Sequence, residues 1–416
     1  MSLRVLLLGS GGREHVLAWR IAQSPLLAQL FIAPGNPGTA MYGENVPFPV
    51  HDHAALVDFA RRERIDLVVV GPDNPLADGV VDRFAEAGIV AFGPTAAAAR
   101  IEGSKAFSKA LMIEAGVPTP QAHTFSSADA AADFARRSGQ PWVVKADGLA
   151  FGKGVVVAET LDETVQAILR LGATSAGQQI LLEERLVGRE VSLLALCDGK
   201  TLLPLPPARD HKRLLDGDLG PNTGGMGAFA PVDEVDEELV DTITRRCMQP
   251  VVDSLAARGT PFCGLLYAGA ILTEHGPSIL EFNARFGDPE AQVVLPLLEG
   301  DLLAALLACT QGRLEPTMLT WKPGYAVCVV LSADGYPENP RRGDPISGVE
   351  SLGAEDDVQI FQAGTVWAQG QLVSAGGRVL GVTAVSRSLA QARSRAYEAA
   401  AVITFAGKHY RHDIGA

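Results

Sequence analysis

Short apolar runs alternate with amphipathic stretches along the first hundred residues. Residues 3–8 form an unbroken aliphatic run that leads into a glycine turn, and a helical pattern continues to residue 22. The alternation then continues with predicted strands at 30–33, 66–70 and 89–92 and predicted helices at 54–64 and about 76–87. Strands that are apolar throughout are typical of a parallel sheet covered by helices on both faces. The pattern predicts a parallel α/β domain over residues 1–103.

The pattern changes after residue 103 and predicts a mixed α+β region. A helix over 104–115 ends at Gly116, and a long polar, glycine-rich segment spans about 207–231. The other predicted elements are strands at 142–145, 155–157, 179–184, 190–197, 264–273 and 278–284, a helix at 161–171, and a helix of about 25 residues after 231. We place two subdomains here, 104–190 and 191–318.

The last part of the chain predicts a small α+β domain. We place its boundary at residue 319, where the run 319–324 interrupts the apolar pattern. The residues that follow are rich in predicted strands and end in an amphipathic helix over 388–404. The C-terminal domain is therefore expected over 319–416.

Composition limits the classes of partner. At about one domain per 150 residues, a chain of 416 residues is expected to form two to four domains. The net charge of −13 argues against nucleic acid or an anionic membrane as the main partner, although a locally basic cleft can still bind a small anion. No stretch reaches the roughly 18 apolar residues of a spanning helix, and the N-terminal aliphatic run is too short for a signal peptide. We therefore expect no membrane partner.

The five cysteines are scattered and form no CxxC motif. They lie mostly among apolar neighbours, at Cys197, Cys247, Cys263, Cys309 and Cys328. Buried free thiols in a reducing compartment are the favoured interpretation, with disulfides as the alternative. The expected location is the cytoplasm.

The first predicted strand ends in a glycine turn that begins a helix, Gly9-Ser10-Gly11-Gly12-Arg13-Glu14. A dinucleotide-binding turn has its third glycine where this chain has glutamate, and an acidic residue about 20 residues later, which is missing after the second strand. The turn therefore argues against NAD. A glycine turn with an adjacent arginine favours a terminal phosphate group, and a tight turn without a ligand is the alternative.

A second glycine-rich segment, residues 145–154, connects two apolar strands. It is not a P-loop, because the glycine spacing differs and Lys153 is followed by glycine. We expect it to fold over a ligand, with backbone N–H groups on phosphate oxygens and Lys153 supplying charge. Lys145 is in phase with Val143 on a strand expected to be buried, and a buried ammonium is costly without an anion. A lysine that extends into solvent at the strand end is the alternative.

A third segment has the residue types of a metal site. On a strand, Glu281 and Asn283 project from one face, whereas Leu280 and Phe282 project from the other. Two adjacent oxygen ligands, completed by phosphate and water, are typical of protein-bound Mg²⁺. Arg285 continues the polar face, where it can neutralise charge on a transferring phosphoryl group. The polar outer face of an edge strand is the alternative.

Two further polar segments are candidates for binding. Residues 183–190 join two strands, either as a hinge that reads adenine and ribose or, as spacing alone favours, as a solvated charged loop. Residues 210–227 are too long for a simple connector, and their Asp, Lys, Arg and Gly content favours binding. The histidines show no metal-site spacing, and no Ser-His-Asp or Cys-His arrangement is recognisable. Covalent catalysis by a protein nucleophile is therefore not supported.

Together these segments resemble the phosphoribosylamine–glycine ligase family, which are ATP-grasp enzymes of de novo purine synthesis. The resemblance is carried from the first strand to the last residues by GSGGREHVLAW, APGNPGTA, VGPDNPL, FGPTAAAARIEGSKAFSK, VKADGLAFGKGVVVA, DHKR, GPNTGGMGAF, EFNARFGDPEAQ, GGRVLGVTA and YRHDIG. Each motif alone is a modest signal, but the occurrence of all of them in the family's order makes the resemblance specific. It implies an N-terminal parallel α/β domain, central ATP-grasp α+β domains and a small strand-rich C-terminal domain.

The resemblance also implies roles for individual residues. ATP, as co-substrate, would lie between the halves of the grasp fold. Lys105 and Lys145 would contact its phosphates, and the loop residues Gly152, Lys153 and Gly154 would close above them. Glu183 and Leu186 would contact the adenine, and Glu190 would contact the ribose. Glu281 and Asn283 would hold Mg²⁺ or Mn²⁺. Phosphoribosylamine would be bound by Gly11, Gly12, Arg13, Asn36 and Gly38. The reacting end would be lined by Asp210, Lys212, Gly224, Gly225, Met226 and Arg285. The catalytic residues would be Lys145, Lys153, Asp210 and Arg285.

The implied reaction has two steps. Glycine's carboxylate attacks the γ-phosphate to give glycyl phosphate and ADP, and the amine of 5-phosphoribosylamine then displaces phosphate. Catalysis would come from positioning and charge neutralisation, and the reactive anhydride would require a closing lid. The implied partners are small molecules (glycine, 5-phosphoribosylamine and ATP), and we expect a monomer.

The sequence departs from the family pattern at three places. These departures bear on the geometry of the closing lid and on reaction rates, and not on the class of reaction. Asp73-Asn74 stands where members often carry Glu-Ala, Phe151 replaces a small residue, and the connection over 171–179 is short. Two alternative functions are also consistent with the sequence. One is an ATP-grasp ligase for a different carboxylate and amine, which would not need DHKR or GPNTGGMGA. The other is a nucleotide sensor that binds ATP without turnover.

Overall fold

The computed structural model describes residues 2–148, 154–174, 177, 179–352 and 357–416. Gly152, Lys153 and Phe151 of the expected closing loop lie outside the described residues, as does part of the 171–179 connection. Within the described residues, no helix is both long and apolar enough to cross a membrane.

The aliphatic run at the N-terminus forms the central strand of a parallel sheet. The strands of this sheet are β1 (Leu3–Gly9), β2 (Leu27–Pro34), β3 (Glu44–Asn45), β4 (Leu67–Val70) and β5 (Ala91–Phe92), in the order β3-β2-β1-β4-β5. Its helices are α1 (Gly12–Ile21), α2 (His53–Arg62), α3 (Asp73–Ala77) and α4 (Val80–Glu86), with a 3₁₀ turn at Thr39–Met41. Val5 and Leu7 pack into one apolar core and Leu6 and Leu8 into another. The strand is therefore buried on both faces, as an uninterrupted apolar run predicts.

The single helix predicted over about 76–87 is wrong. Gly79 has a φ of +81°, a left-handed conformation that separates α3 from α4. Glycine adopts this conformation without the steric penalty that a side chain would meet. A helix over 96–103, α5 (Ala96–Gly103), also precedes the predicted 104–115 helix, which is α6 (Lys105–Glu114).

The next region forms an antiparallel sheet with helices on one face. Its elements are β6 (Ala122–Phe125), α7 (Ala128–Ser138), β7 (Val143–Ala146), β8 (Val155–Val157), α8 (Leu161–Gly172) and β9 (Ile180–Glu183), with strand order β6-β9-β7-β8. Val144 and Ala146 pack with residues of α7 and α8 in one core. Because side chains alternate along a strand, Lys145 lies on the opposite face.

The segment 189–283 contains a second antiparallel sheet and two of the five strands of a third. Its strands are β10 (Arg189–Asp198), β11 (Leu202–Pro204), β12 (Arg209–Asp210), β13 (Arg213–Leu215), β14 (Leu219–Asn222), β15 (Gly227–Ala230), β16 (Cys263–Thr273) and β17 (Gly276–Asn283). Its long helix consists of α9 (Glu237–Ile243), a π turn at Thr244–Met248 and α10 (Gln249–Ala257), and a 3₁₀ turn lies at Asp216–Asp218. The second sheet has the order β11-β10-β16-β17, and β13 pairs with β14 as a separate hairpin.

A β-bulge interrupts the pairing of β16 with β17. Gly269 pairs with Glu281 and Ala270 with Ile279, which leaves Leu280 as an extra residue. The prediction that Leu280 and Phe282 project from the same face is therefore wrong, because Ile279 and Phe282 enter the core instead. Glu281 still lies on the face opposite Phe282, as predicted.

The third sheet joins the C-terminal region to the polar 207–231 segment. The remaining elements are α11 (Ala291–Val294), a 3₁₀ turn at Leu295–Leu297, α12 (Leu302–Thr310), β18 (Tyr325–Ser332), β19 (Val358–Gln362), β20 (Thr365–Ala368), β21 (Gln371–Ser374), β22 (Arg378–Ser386) and α13 (Leu389–Val402). The sheet has the order β12-β15-β18-β22-β19, and β20 pairs with β21. Two strands that precede residue 319 thus hydrogen-bond into the sheet of the C-terminal region.

Candidate functional site

Lys145 reaches from the first antiparallel sheet to the second. Its Nζ lies 2.8 Å from Oε2 of Glu183 on β9 and donates a hydrogen bond of 3.0 Å to the carbonyl oxygen of Leu280, the bulge residue. The Lys145 side chain is only 7% exposed, so the interpretation of a lysine that extends into solvent is wrong. Glu183 is 2% exposed, which contradicts the solvated-loop interpretation for this residue.

A lysine that the sequence reading missed completes this cluster. Lys109 Nζ lies 3.0 Å from the other carboxylate oxygen of Glu183, and burial lowers the pKa of Lys109 to about 8 although Glu183 opposes the shift. Lys109 lies four residues after Lys105 on α6, a spacing that places both on one side of the helix. The four-residue spacing from Lys105 was therefore the feature of the sequence from which Lys109 could have been identified as a site residue.

Lys105 lies at the N-terminus of α6, against the start of the glycine-rich segment. Its Nζ donates to the carbonyl oxygen of Gly148 at 2.8 Å, and burial lowers its pKa. The carboxylate of Asp147 accepts from the backbone N–H of Ala106 at 3.0 Å, which ties this segment to the helix start. At the far end of the segment, the carbonyl oxygen of Gly154 accepts from the N–H of Ala146 at 2.8 Å.

Glu281 is the point at which the site's cations converge. Burial by itself would raise the pKa of Glu281, but the positive charges of Lys145, Lys212, Lys105 and Arg285 lower it below its usual value. Within the described residues, the side chains of Glu281 and its same-face neighbour Asn283 have no hydrogen-bond or ion-pair partner. Both are hard oxygen donors, so their free oxygens fit the preferences of Mg²⁺.

Asp210 and Lys212 form a second charged group beside this strand. Lys212 Nζ lies 2.9 Å from Oδ1 of Asp210 and 3.2 Å from Oε2 of Glu190. Burial alone would lower the pKa of Lys212, but these carboxylates raise it well above its usual value. Glu190 and its neighbours from residue 184 onward are exposed, apart from half-buried Leu186.

The 224–226 turn is held by an arginine from the C-terminal region. Gly225 has a φ of +110°, and a Cβ there would lie 2.5 Å from Cδ of Pro289. Arg378 donates to the carbonyl oxygens of Gly224 (2.5 Å) and Asp288 (2.7 Å) and pairs with the Asp288 carboxylate at 3.1 Å. Met226 is fully buried. The sequence reading assigned no role to Arg378, because its partners lie 154 and 90 residues away.

Arg285 is oriented by a buried glutamate. Its Nη2 lies 2.9 Å from Oε1 of Glu102, and the second oxygen of Glu102 accepts from the N–H of Ala284 at 2.7 Å. Burial opposes the charge of Arg285, but Glu102 and Asp73 raise its pKa. Its Nε is buried and has no hydrogen-bond partner among the described residues. An unsatisfied buried donor beside Glu281 fits a site that receives an anion.

The first glycine turn is capped by its own helix. The Glu14 carboxylate accepts from the N–H of Gly11 at 2.6 Å and pairs with Arg13 at the same distance. Arg13 also donates to the carbonyl oxygen of Phe286 at 3.2 Å, and a Cβ on Gly12 would lie 2.7 Å from Nε2 of Gln292. The turn thus abuts the segment that follows Asn283, but one N–H expected to bind phosphate is bonded to Glu14.

Asn36 and Gly38 have structural partners. The Asn36 amide donates to the carbonyl oxygens of Ser10 (2.8 Å) and Gln362 (2.9 Å), and its oxygen accepts from the N–H groups of Gly38 and Thr39. A Cβ on Gly38 would lie 2.2 Å from the ring of His15. These contacts fix the loop and fasten it to the C-terminal region.

The charged groups suit a ligand that carries its own negative charge. In the described residues, no group of three or more His, Cys, Asp or Glu side chains could hold a metal ion. A cation at Glu281 and Asn283 would therefore need further oxygens, and the surrounding lysines and Arg285 call for an anion. A metal–polyphosphate complex satisfies both requirements.

Three family models match the chain in succession. All are described as phosphoribosylglycinamide synthetase: the N domain matches residues 3–102, the ATP-grasp (A) domain residues 103–291, and the C domain residues 326–416.

Curated relatives extend the match over the full chain. The phosphoribosylamine–glycine ligase of Brucella melitensis is 48% identical over 416 residues, covering 99% of this chain and 97% of that protein. The Synechocystis protein of the same name is 47% identical, covering 99% of each. The human trifunctional purine biosynthetic protein adenosine-3 is 45% identical over all of this chain, which spans 42% of that protein.

Solved structures share the architecture. Phosphoribosylamine–glycine ligase from Thermotoga maritima superposes with a TM-score of 0.86 at 34% identity, covering 99% of this chain and 100% of that one. The biotin carboxylase domain of Hydrogenobacter thermophilus 2-oxoglutarate carboxylase, in complex with MgADP, gives a TM-score of 0.75 at 18% identity, covering 98% and 91%. The expected fold class, an N-terminal parallel α/β domain, a central ATP-grasp region and a strand-rich C-terminal region, is thus confirmed. The chain belongs to the phosphoribosylamine–glycine ligase family of ATP-dependent ligases.

Proposed function

We propose that the chain joins glycine to 5-phosphoribosylamine in an ATP-dependent reaction that gives N1-(5-phosphoribosyl)glycinamide, ADP and phosphate. The observation that carries this proposal is the convergence of four cationic side chains on Glu281, which, like Asn283, has no side-chain hydrogen bond or ion pair among the described residues. Electrostatic stabilisation of a transferring phosphoryl group needs this kind of preorganised charge. The family assignment supports the choice of substrates.

Glu281 and Asn283 are the proposed ligands of Mg²⁺ or Mn²⁺. Their side-chain oxygens accept no hydrogen bond from the residues that the structure describes, and the lowered pKa of Glu281 keeps its carboxylate ionised at neutral pH. When bound, the metal would supply charge neutralisation on the phosphate oxygens.

Lys105 and Lys145 are the proposed phosphate contacts, with Gly152, Lys153 and Gly154 above them. Lys145 is buried and Lys105 is half-buried, which supports this role, because an ammonium group with restricted access to water gains most from an anion. Leu186, with the backbone at Glu183, is proposed to contact adenine, and Glu190 the ribose. Since the Glu183 carboxylate already binds two lysines, its further role would be to hold Lys145 in place.

The two chemical steps place different demands on the chain. In the first, a glycine oxygen bonds to the γ-phosphorus as the bond to ADP breaks, and Arg285 is proposed to offset the negative charge on the phosphoryl oxygens. In the second, the amine nitrogen bonds to the carbonyl carbon, phosphate leaves, and the nitrogen loses a proton. Asp210, Lys212 and the 224–226 turn are proposed to position the reacting ends. No step requires a protein nucleophile.

Phosphoribosylamine is proposed to bind at the N-terminal glycine turn. Gly11, Gly12 and Arg13 lie against the segment that follows Asn283, which supports a position next to the reacting end. Asn36 and Gly38 would contribute by shaping the loop beside it. All five cysteines are free, which supports the proposed cytoplasmic location.

The test is an ADP-release assay with purified protein, Mg²⁺ and ATP. ADP formation is expected only when glycine and phosphoribosylamine are both present, together with formation of the amide product. Release of ADP with a different acid and amine would overturn the substrate assignment. ATP binding without turnover in every mixture would identify a sensor instead.

The C-terminal tail is proposed to hold the β13–β14 hairpin, whose ends carry Lys212 and the 224–226 turn. Arg411, only 1% exposed, pairs with both carboxylate oxygens of Asp413, with Asp218 at 2.7 Å and with the carbonyl oxygen of Arg213 at 3.1 Å. Asp218 has a φ of +56°, a conformation that non-glycine residues adopt at a cost, and Arg411 stabilises it there.

Replacement of Arg411 by glutamine is expected to lower kcat/KM about 10- to 100-fold, or roughly 1.4–2.7 kcal/mol. The reason is that a loosened hairpin would misplace Lys212 and the 224–226 turn. Steady-state kinetics and thermal melting measure the effect. Arg341→Gln is the matched control, because Arg341 makes a comparable pair with Asp344 on the surface. Equal kinetic losses in the two variants would contradict the positioning role.

A further inference from the structure

Two thiols meet outside the site described above. Cys263 is the first residue of β16, Cys309 lies in the last turn of α12, and their Sγ atoms are 3.9 Å apart. Cys309 also contacts the carbonyl oxygen of Cys197 at 2.7 Å. Within the described part of the chain, Cys247 and Cys328 are buried and have no sulfur contact. The contact between their sulfur atoms therefore distinguishes Cys263 and Cys309 from these two buried cysteines.

The two sulfurs of this pair differ in environment. Cys263 is partly exposed, whereas Cys309 is buried. The hydrogen bond between the two sulfurs lowers the pKa of Cys263 although burial opposes the shift. The same contact, together with burial, raises the pKa of Cys309. Cys263 therefore carries the thiolate more readily and is also the more accessible to a small oxidant.

We propose that Cys263 and Cys309 are a reversible modification site that forms a disulfide on reaction with hydrogen peroxide. The Cys263 thiolate attacks one peroxide oxygen, the O–O bond breaks, and a sulfenic acid and hydroxide form. Cys309 then loses its proton and attacks the sulfenic sulfur, which forms the S–S bond and releases a second hydroxide. The two hydroxides take up the two thiol protons. Two thiols are thus oxidised by two electrons, and one peroxide is reduced to two waters.

The disulfide would enclose a functional part of the chain. The two cysteines are 46 residues apart, and the segment between them contains β16, β17, Glu281 and Asn283. Closing a loop of this length restricts the unfolded chain. The site thus provides a covalent tie between the proposed metal-binding strands and α12, which packs against β5 of the N-terminal sheet.

The test uses the full-length protein, treated with hydrogen peroxide and analysed by thiol alkylation and peptide mass spectrometry. The expected result is a linked pair of peptides containing Cys263 and Cys309, two fewer alkylatable thiols, and full recovery with dithiothreitol. In Cys309→Ser, Cys263 is expected to react with dimedone as a sulfenic acid. The matched control Cys247→Ser is expected to form the same disulfide as the unmodified sequence.

Two results would overturn the proposal. One is that all five thiols remain alkylatable after peroxide treatment, and the other is that the disulfide joins a different pair. Because the readout is the mass of the peptides, neither result depends on the ligase reaction.

Discussion

Replacement of Glu281 by alanine is expected to reduce kcat for ADP formation at least about a thousandfold, which is roughly 4 kcal/mol of transition-state stabilisation. Glu281 is the carboxylate on which Lys105, Lys145, Lys212 and Arg285 act together, and among the described residues its oxygens have no partner that would compete with the proposed metal ion. Without it the site would lose its charged oxygen ligand. Initial rates measured across a magnesium titration, with all substrates present, would show the loss.

The matched control for this experiment is Glu274→Ala. Glu274 lies between β16 and β17 on the same hairpin, but its side chain is 86% exposed, so its removal is expected to leave the rate unchanged. Circular dichroism and thermal melting would verify that both variants fold. Full activity of Glu281→Ala, with an unaltered magnesium dependence, would rule out the proposed metal ligand.

Replacement of Lys145 by methionine is expected to lower kcat/KM for ATP at least about a hundredfold, or roughly 2.7 kcal/mol. The side chain keeps its length but loses the charge proposed to act on the phosphates. The variant also leaves Glu183 with one lysine partner instead of two, which is a structural effect. Steady-state kinetics and thermal melting must therefore be measured together.

Lys109→Met separates the two effects. It removes the other ion pair of Glu183, at a similar distance, and Lys109 is not among the cations that shift the pKa of Glu281. Both variants are expected to lose thermal stability, because each leaves a buried carboxylate with fewer partners. Only Lys145→Met is expected to lose most of its activity. A comparable drop in kcat/KM for Lys109→Met would show that the activity loss comes from the disturbed ion pairs of Glu183 and would contradict a phosphate contact by Lys145.

The sequence was most informative where periodicity and burial agree. The aliphatic run 3–8 predicts a strand buried on both faces, and the apolar strand that carries Lys145 predicts a buried lysine that needs an anion. Both follow from the period-2 geometry of strands. The candidate metal face was predictable for the same reason, since Glu281 and Asn283 are two residues apart on one strand.

Features that depend on distant partners could not be predicted. The bulge at Leu280 arises from the pairing of β16 with β17 and leaves no mark in the local pattern. Glu183 ends the apolar strand β9 and directly precedes exposed charged residues, so nothing local distinguishes it from a solvated residue. Glu102 and Arg378 meet their partners across 182 and 90 residues, respectively, through the tertiary fold alone.

The docking of the chain's last residues affects how the protein is handled. Ile414 is fully buried, and its carbonyl oxygen accepts from Arg393 at 3.1 Å. Loss of Asp413 or Arg411 would remove partners of Gly217 and Asp218 while every side chain proposed to be catalytic is retained. Purification tags are therefore better placed at the amino end or behind a flexible spacer, and intact-mass measurement belongs beside every activity assay.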